Sequence, residues 1–239
     1  MVIKAIGFDF FGTLVDAKAD VNLCIESLHQ RLCEHQIQIR LEEFLQAYRT
    51  VTADYRRIRQ ETHKEVNNRV WVAETIKKFG YTLTPDSPII VEAVDAYFSP
   101  WVLTLQKDAL PTLSELRKTF RTGLISNFTD TNYIYRSLKD LGLSDSFDCV
   151  IVSEEVGWRK PHPAIFKKFL ETLNVKAEET LFVGDELKSD IHGAKEIGMK
   201  TAQIVHDDHK EPAEDLVKPD FIIHSLSDLK KLTTNPEKG

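Results

Sequence analysis

Short apolar runs recur along this chain at 2–8, 122–126, 149–152, 180–184, 201–205 and 220–223. Runs of that length without polar alternation predict strands buried on both faces. Between them the period changes. In 111–120, Leu113, Leu116 and Phe120 fall on one helical face. In 162–173, Ile165, Phe166, Phe169, Leu170 and Leu173 do the same. Strands alternating with amphipathic helices predict an α/β fold, with a Rossmann-like parallel sheet as its core.

Residues 17–105 break the alternation. The stretch contains no convincing strand and reads as helices over 21–34, 41–62, 68–79 and 88–98. In the first, Leu23, Ile25, Leu28 and Leu32 recur at near-helical spacing. Gly80, Pro85, Pro88 and Pro100 punctuate the later part. The expected organisation is an α/β core of 1–16 and 106–239, interrupted by a helical insert at 17–105. No internal repeat or low-complexity tract is visible. The tail 233–239 is expected to fray.

Composition narrows the partners. The 239 residues are 42% hydrophobic and 28% charged, with a net charge of -6. That balance argues against a broad nucleic-acid-binding surface, and an anionic substrate needs locally placed positive groups. Cys24, Cys33 and Cys149 have no metal-type spacing and read as reduced thiols. Lys4 and Asp9 interrupt any apolar signal-peptide core, and no run is long enough to span a membrane. The expectation is a cytoplasmic protein, monomer or homodimer, with neither nucleic acid nor membrane as partner.

In open α/β sheets, ligands bind beyond the carboxyl ends of the strands. The first run ends in Asp9, the second in Ser126 and Asn127, and the fourth in Gly184, Asp185 and Glu186, with Asp190 close behind. Lys160 follows the third. A carboxylate can act as a nucleophile toward a phosphoryl group. The phosphoryl group is itself anionic, so attack by Asp9 needs charge compensation. Mg²⁺ held by carboxylates would provide it, with Asp185 as ligand and Asp190 or Glu186 behind it. Lys160 would add a fixed positive charge. Thr13 and Ser126 could donate hydrogen bonds to phosphoryl oxygens, as could backbone amides over 10–13, where Gly12 permits close approach.

Four segments, DFFGTLVD at 9–16, LISN at 124–127, Lys160-Pro161, and VGDELKSDIHGAKEIGM at 183–199, together resemble the haloacid dehalogenase-like hydrolases with a helical cap inserted after the first motif. The resemblance covers most of the chain. It implies that Asp9 is the nucleophile and a metal ligand, that the Phe11 carbonyl also ligates Mg²⁺, and that Asp185 and Asp190 complete the metal site. It implies Thr13, Ser126 and Asn127 as the phosphate-binding group and Lys160 as charge neutraliser. The insert would be a cap that closes over the site on hinges near 16–20 and 100–107. Arg59 and His63, four apart on one helix face of that cap, read either as a solvated charged face or as captors of a substrate carboxylate or second phosphate.

Phe11 departs from the family pattern. The phosphatases of the family carry an aspartate there, which protonates the leaving alcohol and then activates water. Such help is worth about 10²–10⁴ in rate. The dehalogenases carry an aromatic residue there, but lack the acidic metal site that Asp185, Glu186 and Asp190 supply here. The expected activity is Mg²⁺-dependent hydrolysis of a small phosphorylated metabolite through an aspartyl phosphate. The alternatives are a metal-free 2-haloacid dehalogenase and a non-catalytic phosphate-binding descendant. His206 and His209 flank two aspartates in VHDDHK at 205–210, a loop where the family places no ligands.

Overall fold

A computed structural model describes residues 2–206 and 217–234. The segment His209 belongs to, and most of the tail, lie outside the described residues. The chain begins with β1 (Ala5–Phe8), all four residues buried, and β2 (Val15–Lys18). Four helices follow: α1 (Val21–Glu34), α2 (Leu41–Thr62), α3 (Asn68–Lys77) and α4 (Pro88–Phe98). Then come β3 (Val102–Leu105), α5 (Ala109–Leu116), β4 (Arg121–Ser126), α6 (Thr131–Asp140), β5 (Cys149–Val152), the single turn α7 (Ser153–Val156) and α8 (Pro163–Leu173). The chain closes with β6 (Thr180–Gly184), α9 (His192–Glu196), β7 (Lys200–Ile204), β8 (Phe221–Ile223) and α10 (Leu229–Thr234).

Six strands form one parallel sheet in the order β5-β4-β1-β6-β7-β8. The lack of polar alternation now has its explanation in the central strands, since both their faces are covered, whereas edge strand β8 leaves Ile222 61% exposed. Ile6, Phe8, Leu124, Leu181 and Val183 join the apolar cluster on one face. Ala5, Ile125 and Phe182 join the cluster on the other, with Phe166, Phe169 and Leu173 of α8. Gly7 and Gly123 are paired neighbours on β1 and β4. A Cβ at Gly7 would lie 2.9 Å from Phe169 Cζ, and one at Gly123 2.6 Å from Phe169 Cε2. The two missing side chains let the Phe169 ring rest directly on the sheet.

The helical insert is present, and α1 packs mainly on α4. Asp20 caps α1 by accepting from the Asn22 amide at 2.9 Å. The buried face of α1 is Cys24, Ile25, Leu28 and Leu32, whereas Leu23 is exposed. Two strands lie where the sequence shows none. β2 and β3 pair antiparallel, Val15 with Leu105 and Lys18 with Val102. They form a ribbon across the expected hinges, and their mixed exposure hides them from a search for buried runs. No helix among the described residues is long and apolar enough to cross a membrane.

Replacing Phe169 with alanine should lower unfolding free energy by about 3–5 kcal/mol, because the rigid glycine pair cannot move up to fill the void. Urea denaturation would measure this, and a loss below about 1 kcal/mol would show that the sheet does not depend on the ring.

Candidate active site

β1 delivers Asp9 to the centre of the sheet's carboxyl edge. The ladder continues one step further, with the Asp9 amide donating to the Val183 carbonyl at 2.9 Å. The chain then turns tightly. Leu14 and Val15 amides both donate to the Phe10 carbonyl at 2.9 Å, and the Gly12 amide donates to the Val15 carbonyl at 2.9 Å. Gly12 has φ +85°, and a Cβ there would lie 2.4 Å from Asp185 Oδ2. Glycine is therefore required twice, by backbone conformation and by the carboxylate against it. Thr13 Oγ donates to Asp185 Oδ1 at 3.3 Å.

Lys160 is buried beneath this turn. Its ammonium lies 2.5 Å from Asp9 Oδ1, 2.7 Å from Asp190 Oδ1 and 3.0 Å from the Ile125 carbonyl. Those three acceptors use all three of its N–H groups. Asn127 holds the lysine backbone from both sides: the Lys160 amide donates to Asn127 Oδ1 at 2.7 Å, and Asn127 Nδ2 donates to the Lys160 carbonyl at 3.0 Å. The Asn127 side chain thus holds the Lys160 backbone in place. Ser126 Oγ is buried without a partner. A buried hydroxyl left unsatisfied carries a free-energy cost that a bound oxyanion would relieve.

Asp9, Asp185 and Asp190 each present a carboxylate oxygen, all within 4.8 Å of one another. Asp190 lies in the helical turn Leu187–Ile191, where its Oδ2 accepts from the Glu186 amide at 3.1 Å, so it caps that turn and not the following helix. Glu186 points outward, its carboxylate accepting from Ser189 Oγ at 2.7 Å. Burial pushes the Asp9 carboxyl up to about 8, with Asp190 and Asp185 adding to the shift and Lys160 opposing it. Burial, and then Asp190, also raises Asp185. Burial alone would lower Lys160, but Asp190 and Asp9 outweigh it and hold the ammonium charged. Three carboxylates around one ammonium leave excess negative charge in a buried place, and an all-oxygen donor set of this kind fits a hard divalent cation.

The Phe11 side chain packs among other aromatic rings. Its ring centroid lies 4.8 Å from that of Phe10, 5.2 Å from Phe128 and 6.0 Å from Trp101. Phe98 from α4 and Tyr133 from α6 complete the group. Phe11 therefore belongs to an aromatic seam between the turn after Asp9, the insert and the core.

Arg59 and His63 are not brought against the carboxylates. Arg59 pairs with Glu65 at 2.9 Å, donates to the Val66 carbonyl at 3.0 Å and lies 4.2 Å over the Trp71 ring. Burial lowers its guanidinium to about 10, against the opposing pull of Glu65. His63 ends α2 in a left-handed conformation at φ 56°, its amide on the Arg59 carbonyl. The Arg59 guanidinium is engaged by the buried Glu65, and His63 meets the core through its backbone carbonyl, which accepts from the Arg159 amide at 2.8 Å. Helical spacing placed the two residues together but carried no sign of Glu65. His206, the described part of the histidine-rich stretch, bonds through Nε2 to the Gly12 carbonyl at 2.7 Å.

In metal-free protein, folded Asp9 retains a proton that the unfolded chain releases near 3.8. Native protein then binds more protons than unfolded protein, so stability falls as pH rises toward 8. The lowered pKa of His162 acts in the opposite sense, but only below about its ordinary 6.5. Urea midpoints in EDTA should therefore decline from pH 7 to 8. A rising midpoint would contradict the assigned direction.

The haloacid dehalogenase-like hydrolase family model matches residues 3–198. The glyceraldehyde 3-phosphate phosphatase of Pyrococcus furiosus is 30% identical, over 96% of this chain and 91% of its own. The (S)-2-haloacid dehalogenase of Xanthobacter autotrophicus is 27% identical, over 97% of this chain and 95% of its own. Among solved structures, the 2-haloacid dehalogenase of Pseudomonas syringae pv. Tomato DC3000 superposes with a TM-score of 0.72 at 23% identity, covering 98% of this chain and 99% of that one. With the motif order, the sheet topology and the family match in agreement, this chain belongs to the haloacid dehalogenase-like hydrolases.

Proposed function

We propose that this hydrolase is a Mg²⁺-dependent phosphatase of small phosphorylated metabolites, with Asp9 as nucleophile. The observation that carries the reading is the convergence of Asp9, Asp185 and Asp190 within 4.8 Å. Displacement of halide from a carbon substrate has no use for two further carboxylates beside the nucleophile, since excess negative charge opposes departure of an anion. The Asp9 and Asp185 carboxylates and the Phe11 carbonyl would hold the cation, with Asp190 behind them. When bound, the cation would offset the charge of the phosphoryl group and of the carboxylates around it.

The chain's own groups do the rest. Lys160 holds Asp9 by its Oδ1 at 2.5 Å, leaving the second carboxylate oxygen to attack phosphorus. The Asp9–phosphorus bond forms as the bond to the leaving oxygen breaks, and water then hydrolyses the aspartyl phosphate. Ser126 Oγ, unpartnered and buried, would donate to a phosphoryl oxygen. Thr13 can do the same by turning from its long 3.3 Å bond to Asp185. The helical insert acts as the cap, residues 17–105, over the core of 1–16 and 106–239. The Pyrococcus furiosus relative, a glyceraldehyde 3-phosphate phosphatase, supports a phosphorylated three-carbon compound as the scale of substrate.

Phe11 shapes the chemistry, because no carboxyl stands at that position to protonate the leaving oxygen. Turnover should then follow leaving-group acidity, with aryl and acyl phosphates exceeding alkyl phosphates by about 10²–10⁴. Steady-state rates on such a series would show it, and a flat series would place a proton donor elsewhere. Phosphate release should stop in EDTA and return with Mg²⁺, and Asp9→Asn should abolish it. Halide release from 2-haloacids that survives EDTA would replace this reading with the dehalogenase one. Cation binding must also expel the Asp9 proton, so Mg²⁺ affinity should increase from pH 6 to pH 8. Calorimetry in buffers of different ionisation enthalpy would count the proton released.

A further inference from the structure

The insert reaches the core at a point that the motifs do not mark. Its α2–α3 connection, residues 63–67, lies along residues 157–159, immediately before Lys160. The Arg159 amide donates to the His63 carbonyl at 2.8 Å, and the Glu65 amide donates to the Gly157 carbonyl at 3.0 Å. Lys64 and Trp158 form an antiparallel bridge between them. Glu65 is the centre of this contact, with a side chain only 1% exposed.

Its carboxylate is fully engaged. Oε1 pairs with Arg59 at 2.9 Å and accepts from the Val66 amide at 3.0 Å. Oε2 pairs with Arg159 and accepts from Ser153 Oγ at 2.5 Å. Ser153 Oγ in turn accepts from the Phe128 amide at 2.9 Å. Arg159 and Phe128 are the chain neighbours of Lys160 and Asn127, whose mutual clamp fixes the catalytic ammonium. Glu65 therefore touches both loops of that clamp, one through Arg159 and the other through Ser153, and it comes from the insert.

We propose that Glu65 is a positioning residue: delivered by the cap connection, it braces the Lys160 and Asn127 loops against each other, so that docking of the cap sets the lysine against Asp9. The role rests on the phosphatase reading for its kinetic consequence, and on the hydrogen bonds alone for its structural one. Substrate need not touch Glu65, because its effect travels through Arg159 and Ser153.

Glu65→Ala should lower kcat on an aryl phosphate about tenfold to a hundredfold, the range for small displacements at a reacting centre, while KM and the Mg²⁺ requirement hold nearly steady. Glu65→Gln, which keeps the shape and one acceptor, should recover part of the loss, and Ser153→Ala should lower kcat in the same way. Hydrogen exchange read by mass spectrometry should show faster exchange over 126–130 and 157–162 in Glu65→Ala, with β7 unchanged. Unaltered exchange in both segments, or unaltered kcat in folded variants, overturns the proposal. Exchange that quickens everywhere also overturns it, because Glu65 would then be a general stabiliser. Wild-type protein inactive on every phosphomonoester would overturn the phosphatase reading instead, and the exchange comparison would still decide whether Glu65 braces the clamp.

Discussion

One ammonium organises this molecule's functional edge. Lys160 is buried between Asp9 and Asp190, with the Ile125 carbonyl taking its remaining proton. Removing three charges from water is expensive, and an apolar core of the same volume would commonly be as stable or more so. The arrangement instead holds Asp9 in one orientation. It draws strands β1, β4 and β6, the turn after β6 and the loop before α8 to a single point. Lys160 offsets only part of the charge it gathers. Burial raises the Asp9 and Asp185 carboxyls, and the neighbouring carboxylates add to the rise against the pull of Lys160.

Beside this charged point lies an apolar seam. Phe11, Phe98, Trp101, Phe128 and Tyr133 pack ring against ring where the turn after Asp9 meets the insert and α6. A carboxyl at position 11 would have to be buried among these rings or displace them. The absent acid and the cap contact are therefore one feature. The residue that would move a proton has been exchanged for one that packs between two parts of the fold.

The other cap contact is ionic. Glu65 meets Arg59 and Arg159, and nearby Glu154 accepts from Arg69 and Asn67 of the insert and from the Thr131 amide of the core. The aromatic seam and the ionic contact meet at Phe128, whose ring packs on Trp101 and whose amide donates to Ser153 Oγ.

Local pattern alone established the sheet, because a strand covered on both faces has no polar positions and so declares itself, as 180–184 does. It also established which carboxylates and hydroxyls stand at strand ends, since those residues terminate the apolar runs. Only the tertiary structure decided what faces them. The β2–β3 ribbon escaped because its exposure is mixed. Asn127 proved to be a clamp because its partner lies 33 residues away, and Arg59 was claimed by Glu65, which periodicity cannot connect to it. Phe11 read only as a missing acid until Trp101 and Phe128 were found against it. Position along the chain reports what a residue can do. Which of those capacities remains free for chemistry depends on neighbours brought from distant segments.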